Sequence, residues 1–381
     1  MKRFFAFLTA AILCLYLAIP IYCADAQAVF IPDGISAKSA ILIDADSGRV
    51  LYEKDADTPM GMASTTKLMT ALVALRLCDA DKKISIPSEA VGVEGSSVYL
   101  VEGEVLTLAE LLYALLLASA NDAAVAIAVG ISGSVEDFCA EMNAYARELG
   151  LTSTSFENPH GLYSEGHYTT ARELAVIAAE ALKHPLIAEI VSTRKATIPH
   201  DGIADRRLLV NHNKLLRTYE GAVGMKTGFT KKTGRCLVSA ARRNGLTLIA
   251  VTLNAPDDWR DHGTLLDYGF ENYERRLFYP VGALSFSLPL CDGNTDSVIL
   301  TNTEPICLTV RKNEQDLDVT VNAPFRFAIG EVRRGEFFGS VTVSTNGESC
   351  TSPLAFSESS QGRTKAKKGF FERIFTFFSS E

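Results

Sequence analysis

The sequence lacks several features that would place it in a familiar protein class. Eight cysteines among 381 residues are too few and too scattered for a disulfide scaffold. The formal net charge is −8, so the chain has no basic excess with which to bind phosphate backbones. We therefore expect no nucleic-acid partner. The length leaves room for a packed core in two or three domains.

Missing motifs disfavour two classes of hydrolase. No G-x-S-x-G occurs, so the sequence lacks the nucleophile turn of a Ser-His-Asp hydrolase. The six histidines form no H-E-x-x-H and the cysteines form no C-x-x-C, so a zinc or redox site lacks its usual ligands. We expect no metal and no other cofactor. Whether any of the cysteines pair is left open.

Apolar residues are concentrated at the two ends of the chain, which raises the mean hydropathy to +0.12. Lys2 and Arg3 precede an uncharged apolar run over residues 4–21, and Ala24-Asp25-Ala26 is a small-residue cleavage site. This pattern predicts a signal peptide over residues 1–26. A retained membrane anchor is the alternative, and both imply export to the outer face of the cytoplasmic membrane or the cell-wall space.

The C-terminal residues combine a basic flank with an aromatic helical face. The basic residues precede the apolar ones in the order Arg363, Lys365, Lys367, Lys368, Phe370, Phe371, Ile374, Phe375, Phe377 and Phe378. This pattern is typical of a helix that lies on an anionic membrane surface, and it is too short to span one. Because residues 357–362 resemble a flexible linker, we predict a tether and membrane-associating helix over 357–381. A helix docked on the protein body is the alternative.

The patterns between the two ends predict two domains. Residues 38–275 alternate strand-like and helix-like segments, with hairpins over 40–52 and around Asn244-Gly245. Apolar helical runs cover 69–77, 106–129 and 135–149. Short alternating strands follow residue 279. We predict an α/β domain over 27–279, whose sheet joins N- and C-terminal strands, and a small all-β domain over 280–356.

Three short motifs occur in order: Ser64-Thr65-Thr66-Lys67, Ser119-Ala120-Asn121 and Lys226-Thr227-Gly228. Ser64 stands at the start of a predicted helix, so Lys67 lies one turn away on the same face. A serine becomes nucleophilic only when a neighbour takes its proton, and a lysine can do so if burial and nearby positive charge lower its pKa. The first motif therefore predicts a serine nucleophile with a lysine base.

The other two motifs are weaker taken alone. Ser119 and Asn121 interrupt a strongly apolar run, which indicates either a polar cleft or a simple helix break. Gly228 follows an expected edge strand, where a substrate backbone could pair. The same patterns recur at Ser192-Thr193-Arg194-Lys195 and Lys232-Thr233-Gly234, which precede a poor helix and lie in a turn, respectively. We therefore interpret the two recurrences as coincidental.

Taken together, the motifs and their surroundings resemble the low-molecular-weight serine D-alanyl-D-alanine carboxypeptidases, a family of penicillin-binding proteins. The resembling stretches are residues 63–70, 117–123, 158–162, 168–174, 211–216 and 224–230. The resemblance covers nearly the whole chain. It implies a transpeptidase fold shared with β-lactamases, in which an antiparallel sheet carries helices on both faces and a helical subdomain, followed by a small all-β domain.

The resemblance also implies roles for individual residues. Ser64 would attack the carbonyl between the two terminal D-alanines of a peptidoglycan stem peptide, and Lys67 would accept its proton. Ser119 would relay that proton to the leaving amine, and Asn121 would hold the substrate backbone. β-Lactams would acylate the same serine. The reaction would need no metal.

Further implied residues bind the substrate. Lys226 and Thr227 would hold its terminal carboxylate, and Gly228 would let its backbone approach. Backbone N–H groups of Ser64 and Phe229 would form the oxyanion hole. Phe229 stands where some relatives have histidine, which leaves carboxylate recognition and deacylation open. We interpret Arg260 as a surface arginine, with a further carboxylate ligand as the alternative.

Other functions use similar residues. A class A β-lactamase needs a glutamate to activate the deacylating water, and no Glu-x-x-Leu-Asn segment lies between Asn121 and Lys226. A transpeptidase or endopeptidase would use the same site on another acceptor or bond, and both stay open. A non-catalytic wall-binding protein is disfavoured because all three motifs are intact.

Overall fold

The computed structural model describes residues 32–200 and 206–362. These residues belong to one compact unit that starts at Pro32. The predicted signal peptide over 1–26 and the predicted helix over 363–381 lie outside the described residues.

A five-stranded antiparallel sheet forms the centre of the larger part of the molecule, in the order β2-β1-β9-β8-β7. Its strands are β1 (Ser39–Asp44), β2 (Val50–Lys54), β7 (Ala222–Thr230), β8 (Gly234–Arg243) and β9 (Leu246–Leu253). β1 pairs with β9 over six residues, from Ser39 opposite Leu253 to Asp44 opposite Leu248. The predicted closure of one sheet by N- and C-terminal strands is therefore confirmed, as are both predicted hairpins.

Alternate residues of the central strands enter two separate hydrophobic cores, because successive side chains point to opposite faces of a sheet. Ile41 and Ile43 pack in the core beneath the helical part, whereas Ala40 and Leu42 pack on the opposite face. Both faces of β1 and β9 are consequently buried. Two-sided burial explains why these strands read as continuous apolar runs.

Helices cover both faces of this sheet. They are α1 (Lys67–Leu77), α2 (Leu108–Leu117), α3 (Asn121–Ser132), α4 (Val135–Glu148), α5 (Ala171–Lys183), α6 (Pro185–Ser192), α7 (Leu215–Thr218) and α8 (Asp258–Asn272). Helix α8 supplies Leu265 and Leu266 to one core, while α1 to α6 supply most of the other. Two short two-stranded antiparallel sheets, β3 (Lys83–Ser85) with β4 (Val105–Thr107) and β5 (Lys195–Ile198) with β6 (Arg207–Val210), contact the helical part.

The predicted helical run over 106–129 is wrong in one respect, because it is two helices preceded by a strand. Thr107 begins α2 with a capping box, in which its side chain accepts from the Glu110 backbone and the Glu110 side chain accepts from the Thr107 backbone. The run breaks at residues 118–120, where Ser119 has φ of +60°. A residue in that left-handed region cannot continue a helix. The break places the second motif at the start of α3.

The C-terminal part is an all-β unit. Its strands are β10 (Tyr273–Tyr279), β11 (Ser285–Cys291), β12 (Ser297–Asn302), β13 (Ile306–Arg311), β14 (Asp318–Asn322), β15 (Ala328–Ile329), β16 (Phe337–Thr345) and β17 (Glu348–Phe356). Six of them form a sheet in the order β14-β16-β17-β12-β11-β15, and β10 pairs with β13. These strands share a core of their own.

Buried polar contacts join the β unit to the central sheet. The Thr309 hydroxyl donates to Asp44 at 2.8 Å, and the Arg275 guanidinium lies 3.4 Å from carboxylate oxygens of both Asp44 and Glu348. Arg49 also pairs with Glu314 at 3.2 Å. The turn between β16 and β17 therefore lies beside the β1–β2 hairpin, where a Cβ on Gly347 would be 3.7 Å from Arg49 Nε.

Residues 357–362 do not form the flexible tether that their composition suggests. Ser360 is buried, and its backbone pairs with that of Val332 in both directions. The backbone carbonyl of Gln361 accepts from Asn294, and Gly362 bridges Gly293. These backbone bonds hold the segment on the β unit beyond the end of β17.

Two further findings concern the described residues alone. No single helix among them is long and apolar enough to cross a membrane, although α3 and α4, bent by 87°, reach that length and composition as a pair. All six of their cysteines are unpaired, namely Cys78, Cys139, Cys236, Cys291, Cys307 and Cys350.

Candidate active site

The first motif forms a close serine–lysine pair. Residues Ala63–Thr66 make one turn of 3₁₀ helix that runs directly into α1 at Lys67. The Lys67 ammonium nitrogen, Nζ, lies 3.0 Å from Ser64 Oγ. The spacing in the sequence therefore predicts the contact correctly.

Lys67 is fully buried and held by further acceptors. Its Nζ donates to Asn121 Oδ1 at 2.7 Å and to the His160 backbone carbonyl at 2.6 Å. Burial lowers the pKa of Lys67 well below its usual value, the positive charge of Lys226 lowers it further, and Asp122 opposes the shift. The geometry thus favours a neutral amine that can accept a proton from Ser64.

Lys226 lies within β7 and is also buried. Its Nζ donates to the Thr227 backbone carbonyl at 2.8 Å. Burial lowers the pKa of Lys226 to about 7. A cation there is poorly solvated, so a carboxylate entering the cleft would be a favourable partner.

The second motif meets the first at the start of α3. Asn121 accepts from Lys67 through Oδ1 and donates through Nδ2 to the Glu94 carbonyl at 2.6 Å. Asn121 therefore positions Lys67, and one of its two amide N–H donors is used by the Glu94 carbonyl. Its predicted contact with the substrate backbone stays a prediction. The adjacent Asp122 accepts from Ser97 Oγ and the Leu100 amide, which fixes the facing loop.

Backbone strain accompanies each of the three motifs. Ala63 precedes the nucleophile with φ of +48°, Ser119 has φ of +60°, and Met225 precedes Lys226 with φ of +95°. Non-glycine residues adopt such angles at a cost of about 1 to 3 kcal/mol each, and surrounding contacts must hold them. The strain is concentrated where the side chains must converge.

Two glycines let backbone segments close around Ser64. Gly161 has φ of +90°, and a Cβ there would collide with the carbonyl oxygen of Ala63. A Cβ on Gly228 would lie 3.0 Å from the Ser64 amide nitrogen. β7 and the loop around His160 therefore approach the nucleophile more closely than any other residue type allows.

A cleft of about 330 Å³ opens over these groups. It is lined by Ser64, Ser96, Ser119, His212, Lys214, Thr227, Gly228, Phe229, Arg235, Asp258 and Trp259. Of the residues predicted for the site, Ser64, Ser119, Thr227, Gly228 and Phe229 line this cleft. Lys67, Asn121 and Lys226 lie buried behind it.

The cleft also contains a cationic group that none of the three sequence motifs indicates. Arg235 stands opposite Phe229 in the β7–β8 pairing, and its guanidinium donates to Asp258 at 3.0 Å. Arg260 instead lies on the surface, where it donates to the Gly34 carbonyl at 3.0 Å. The strand register could have suggested Arg235, because it places Arg235 opposite Phe229, the residue that follows the Lys226-Thr227-Gly228 motif.

Two histidine rings near Ser64, those of His160 and His167, accept hydrogen bonds from backbone N–H groups. His167 accepts from the Glu157 amide through Nδ1, so its Nε2–H donates to Thr66 Oγ1 at 2.8 Å. Burial lowers the pKa of His167 to about 4 and that of His160 to about 3. Both rings are neutral near pH 7. Among the described residues no cluster of His, Cys, Asp or Glu side chains is arranged to hold a metal ion.

The two recurring motifs lie elsewhere. Ser192 ends α6 and Lys195 begins β5, so these two residues do not share a helix face. Lys232 and Thr233 form the turn between β7 and β8. Their positions agree with the interpretation that neither carries chemistry.

Comparison with known proteins identifies the family. The model of the D-alanyl-D-alanine carboxypeptidase family of peptidases matches residues 25–257. The chain belongs to this family. It is 35% identical to the D-alanyl-D-alanine carboxypeptidase DacF of Bacillus subtilis, over 84% of this chain and 85% of that protein.

Solved structures agree with this D-alanyl-D-alanine carboxypeptidase fold. Penicillin-binding protein 5 from Haemophilus influenzae is 28% identical and superposes with a TM-score of 0.72, over 87% of this chain and 99% of that one. The DD-transpeptidase of Streptomyces K15 is 33% identical with a TM-score of 0.60, over 64% of this chain and all of that one. The predicted α/β transpeptidase fold is therefore confirmed.

We expect Gly161→Ala to reduce acylation of Ser64 about 100-fold, because the new methyl must displace the Ala63–Ser64 backbone. The rate of labelled penicillin attachment measures this. Gly150→Ala is the matched control, since Gly150 has φ of +77° with open space around its Cβ position. It should lose only about 1 kcal/mol of stability and keep its acylation rate. Wild-type acylation by the Gly161 variant would contradict the packing argument.

Proposed function

We propose that this D-alanyl-D-alanine carboxypeptidase removes the terminal D-alanine from peptidoglycan pentapeptide stems through an acyl-enzyme on Ser64. The observation that carries the proposal is the 3.0 Å contact between Ser64 Oγ and a buried Lys67 amine at the floor of the cleft. A neutral amine at hydrogen-bond distance is the activated arrangement that a serine nucleophile requires.

In the acylation step Lys67 accepts the Ser64 proton while Oγ bonds to the carbonyl carbon between the two D-alanines. Asn121 and the His160 carbonyl hold Lys67 Nζ in place for this transfer. The tetrahedral oxyanion is bound by the backbone N–H groups of Ser64 and Phe229. When the C–N bond breaks, Ser119 gives its proton to the leaving amine and takes up the proton that Lys67 received from Ser64, so Lys67 is neutral again.

The terminal carboxylate of the substrate is bound by Lys226 and Thr227. Arg235 adds a second positive charge at the same side of the cleft, from the strand beside Phe229. Phe229 is 62% exposed, so it offers an apolar surface in place of the histidine of some relatives. Hydrolysis of the acyl-enzyme by water completes the reaction and frees Ser64. β-Lactams would acylate the same oxygen.

The acceptor distinguishes hydrolysis from transpeptidation. The Streptomyces K15 protein is a DD-transpeptidase, and its similarity covers 64% of this chain. Mass spectrometry of a purified pentapeptide muropeptide separates the outcomes. Loss of one alanine supports a carboxypeptidase, a cross-linked product a transpeptidase, and cleaved dimers an endopeptidase.

Labelled penicillin should attach covalently to Ser64 and fail to attach to Ser64→Ala, which should also release no D-alanine. Ser192→Ala is the matched control because it alters the other S-x-x-K pattern, and it should behave as wild type. The label is located by peptide mapping. Attachment at any other serine would refute the mechanism.

The profile of kcat/KM against pH should be bell-shaped. Activity rises with pH as Lys67 loses its proton at its lowered pKa, and it falls above about pH 7 as Lys226 loses the charge that binds carboxylate. Lys226→Arg keeps a permanent charge, so its alkaline limb should disappear while its acid limb remains. An unchanged alkaline limb in that variant would show that another group sets it.

The chain is also proposed to be exported and to lie on the outer face of the cytoplasmic membrane. The support comes from sequence, namely the apolar N-terminal run with its cleavage site and the basic aromatic C-terminal residues. Deleting residues 363–381 should shift the protein from the membrane fraction to the soluble fraction. Unchanged partitioning would count against the tail as an anchor.

A further inference from the structure

The β unit has a distal tip that lies away from the central sheet. One end of its β16–β17 hairpin, at Glu348, contacts Arg275 and Thr309. β17 runs nine residues from that end, and the chain then continues along β12 and the β11–β12 turn to Gly362. We define the distal tip as residues 291–296, 325–332 and 358–362. At about 3.3 Å per residue, it lies well over 25 Å from Glu348 along the strands.

A short apolar segment crosses this tip. Phe325, Phe327 and Ile329 are 65%, 42% and 66% exposed, while Ala328 between them is buried. Ile329 is fixed by the pairing of β15 with Cys291, and the Gly330 amide donates to the Cys291 carbonyl at 2.7 Å. Three large apolar side chains held in water on a fixed backbone indicate an interaction surface.

The described chain ends beside this segment. A Cβ on Gly362 would lie 3.7 Å from the Glu331 amide and 3.9 Å from the Gly330 carbonyl carbon. The next residues in the sequence are the basic ones over 363–368, which carry four positive charges. The proposed membrane-binding tail therefore leaves the body next to the apolar segment.

The charges around the tip fit an anionic surface only when the tail is included. Residues 325–332 contain Arg326 and Glu331, while Asp292, Asp296 and Glu358 belong to the neighbouring turns. The net charge of these five residues is −3, and the four positive charges over 363–368 more than offset it. Electrostatic attraction is thus supplied by the tail, and the segment supplies apolar contact.

The apolar segment is too small to cover the tail. It offers three large side chains, whereas the tail carries six large apolar residues over 370–378. If the two packed on each other, part of the tail's face would still be in water. A bilayer can bury both surfaces at once. This favours a lipid surface over a docked tail as the occupant.

We propose that Phe325, Phe327 and Ile329 form a second lipid-contacting element, which enters the interface of an anionic bilayer beside the C-terminal tail. The proposal rests on export of the chain and is independent of the chemistry at Ser64. It assigns the tip of the β unit a direct role in membrane binding.

Tryptophan scanning with brominated lipids tests contact directly. The full mature chain carries Phe325→Trp or Ile329→Trp and is mixed with vesicles of equal parts phosphatidylglycerol and brominated phosphatidylcholine. The native Trp259 lines the catalytic cleft and serves as the reference in every sample. Leu277→Trp is the matched control, because Leu277 is 53% exposed on β10 of the same unit, outside the tip. Quenching at 325 and 329, with none at 277, is expected.

Two outcomes would overturn the proposal. The first is a quenching result from vesicle-bound chain in which the tryptophans at 325 and 329 are quenched no more than the tryptophan at 277. The other is that the tryptophan at 325 is shielded from aqueous iodide without vesicles and becomes accessible after deletion of residues 363–381, which would show that the tail occupies the segment.

Partitioning measures the contribution of the segment. The triple variant Phe325→Ser, Phe327→Ser, Ile329→Ser, with the tail intact, should bind the same vesicles about tenfold more weakly. Val319→Ser with Val321→Ser is the control, since both valines are exposed on β14 of the same unit. Hydrolysis of a soluble peptide should be unchanged in all of these variants, which separates this proposal from that for Ser64. Equal binding by triple variant and control would refute it.

Discussion

The burial of the Lys67 amine is the constraint on which the rest of the site depends. An amine in a dry environment needs polar partners, and the structure supplies three: the Ser64 hydroxyl, the Asn121 side chain and the His160 carbonyl. Each partner belongs to a different element. The 3₁₀ entry to α1, the break between α2 and α3 and the loop before the left-handed Gly161 place these partners around one nitrogen.

The second buried lysine, Lys226, helps to make Lys67 a proton acceptor. Lys226 approaches from β7, and its charge adds to burial in lowering the pKa of Lys67. The cleft thus holds one amine suited to accept a proton and one cation suited to bind an anion. Two lysines of the same intrinsic basicity acquire different roles through their neighbours alone.

The sequence was sufficient to predict the convergence of the three motifs, the sheet closed by β1 and β9, and the β unit, because these depend on local spacing and periodicity. It could not predict the use of Asn121 by Lys67, since that bond joins residues 54 positions apart. Arg235 was missed because strand register brings it to the cleft. Residues 357–362 look like a linker, yet backbone bonds that composition does not encode hold them in place.

The contacts of the buried Asp44 carboxylate with Thr309 and Arg275 join the β unit to β1 of the five-stranded sheet. A joint of this kind resists pivoting, because any rotation would strip a buried carboxylate of its partners. The molecule should therefore tilt as one rigid lever. If the tip enters a membrane as proposed, its orientation sets the height and the angle of the cleft above that membrane.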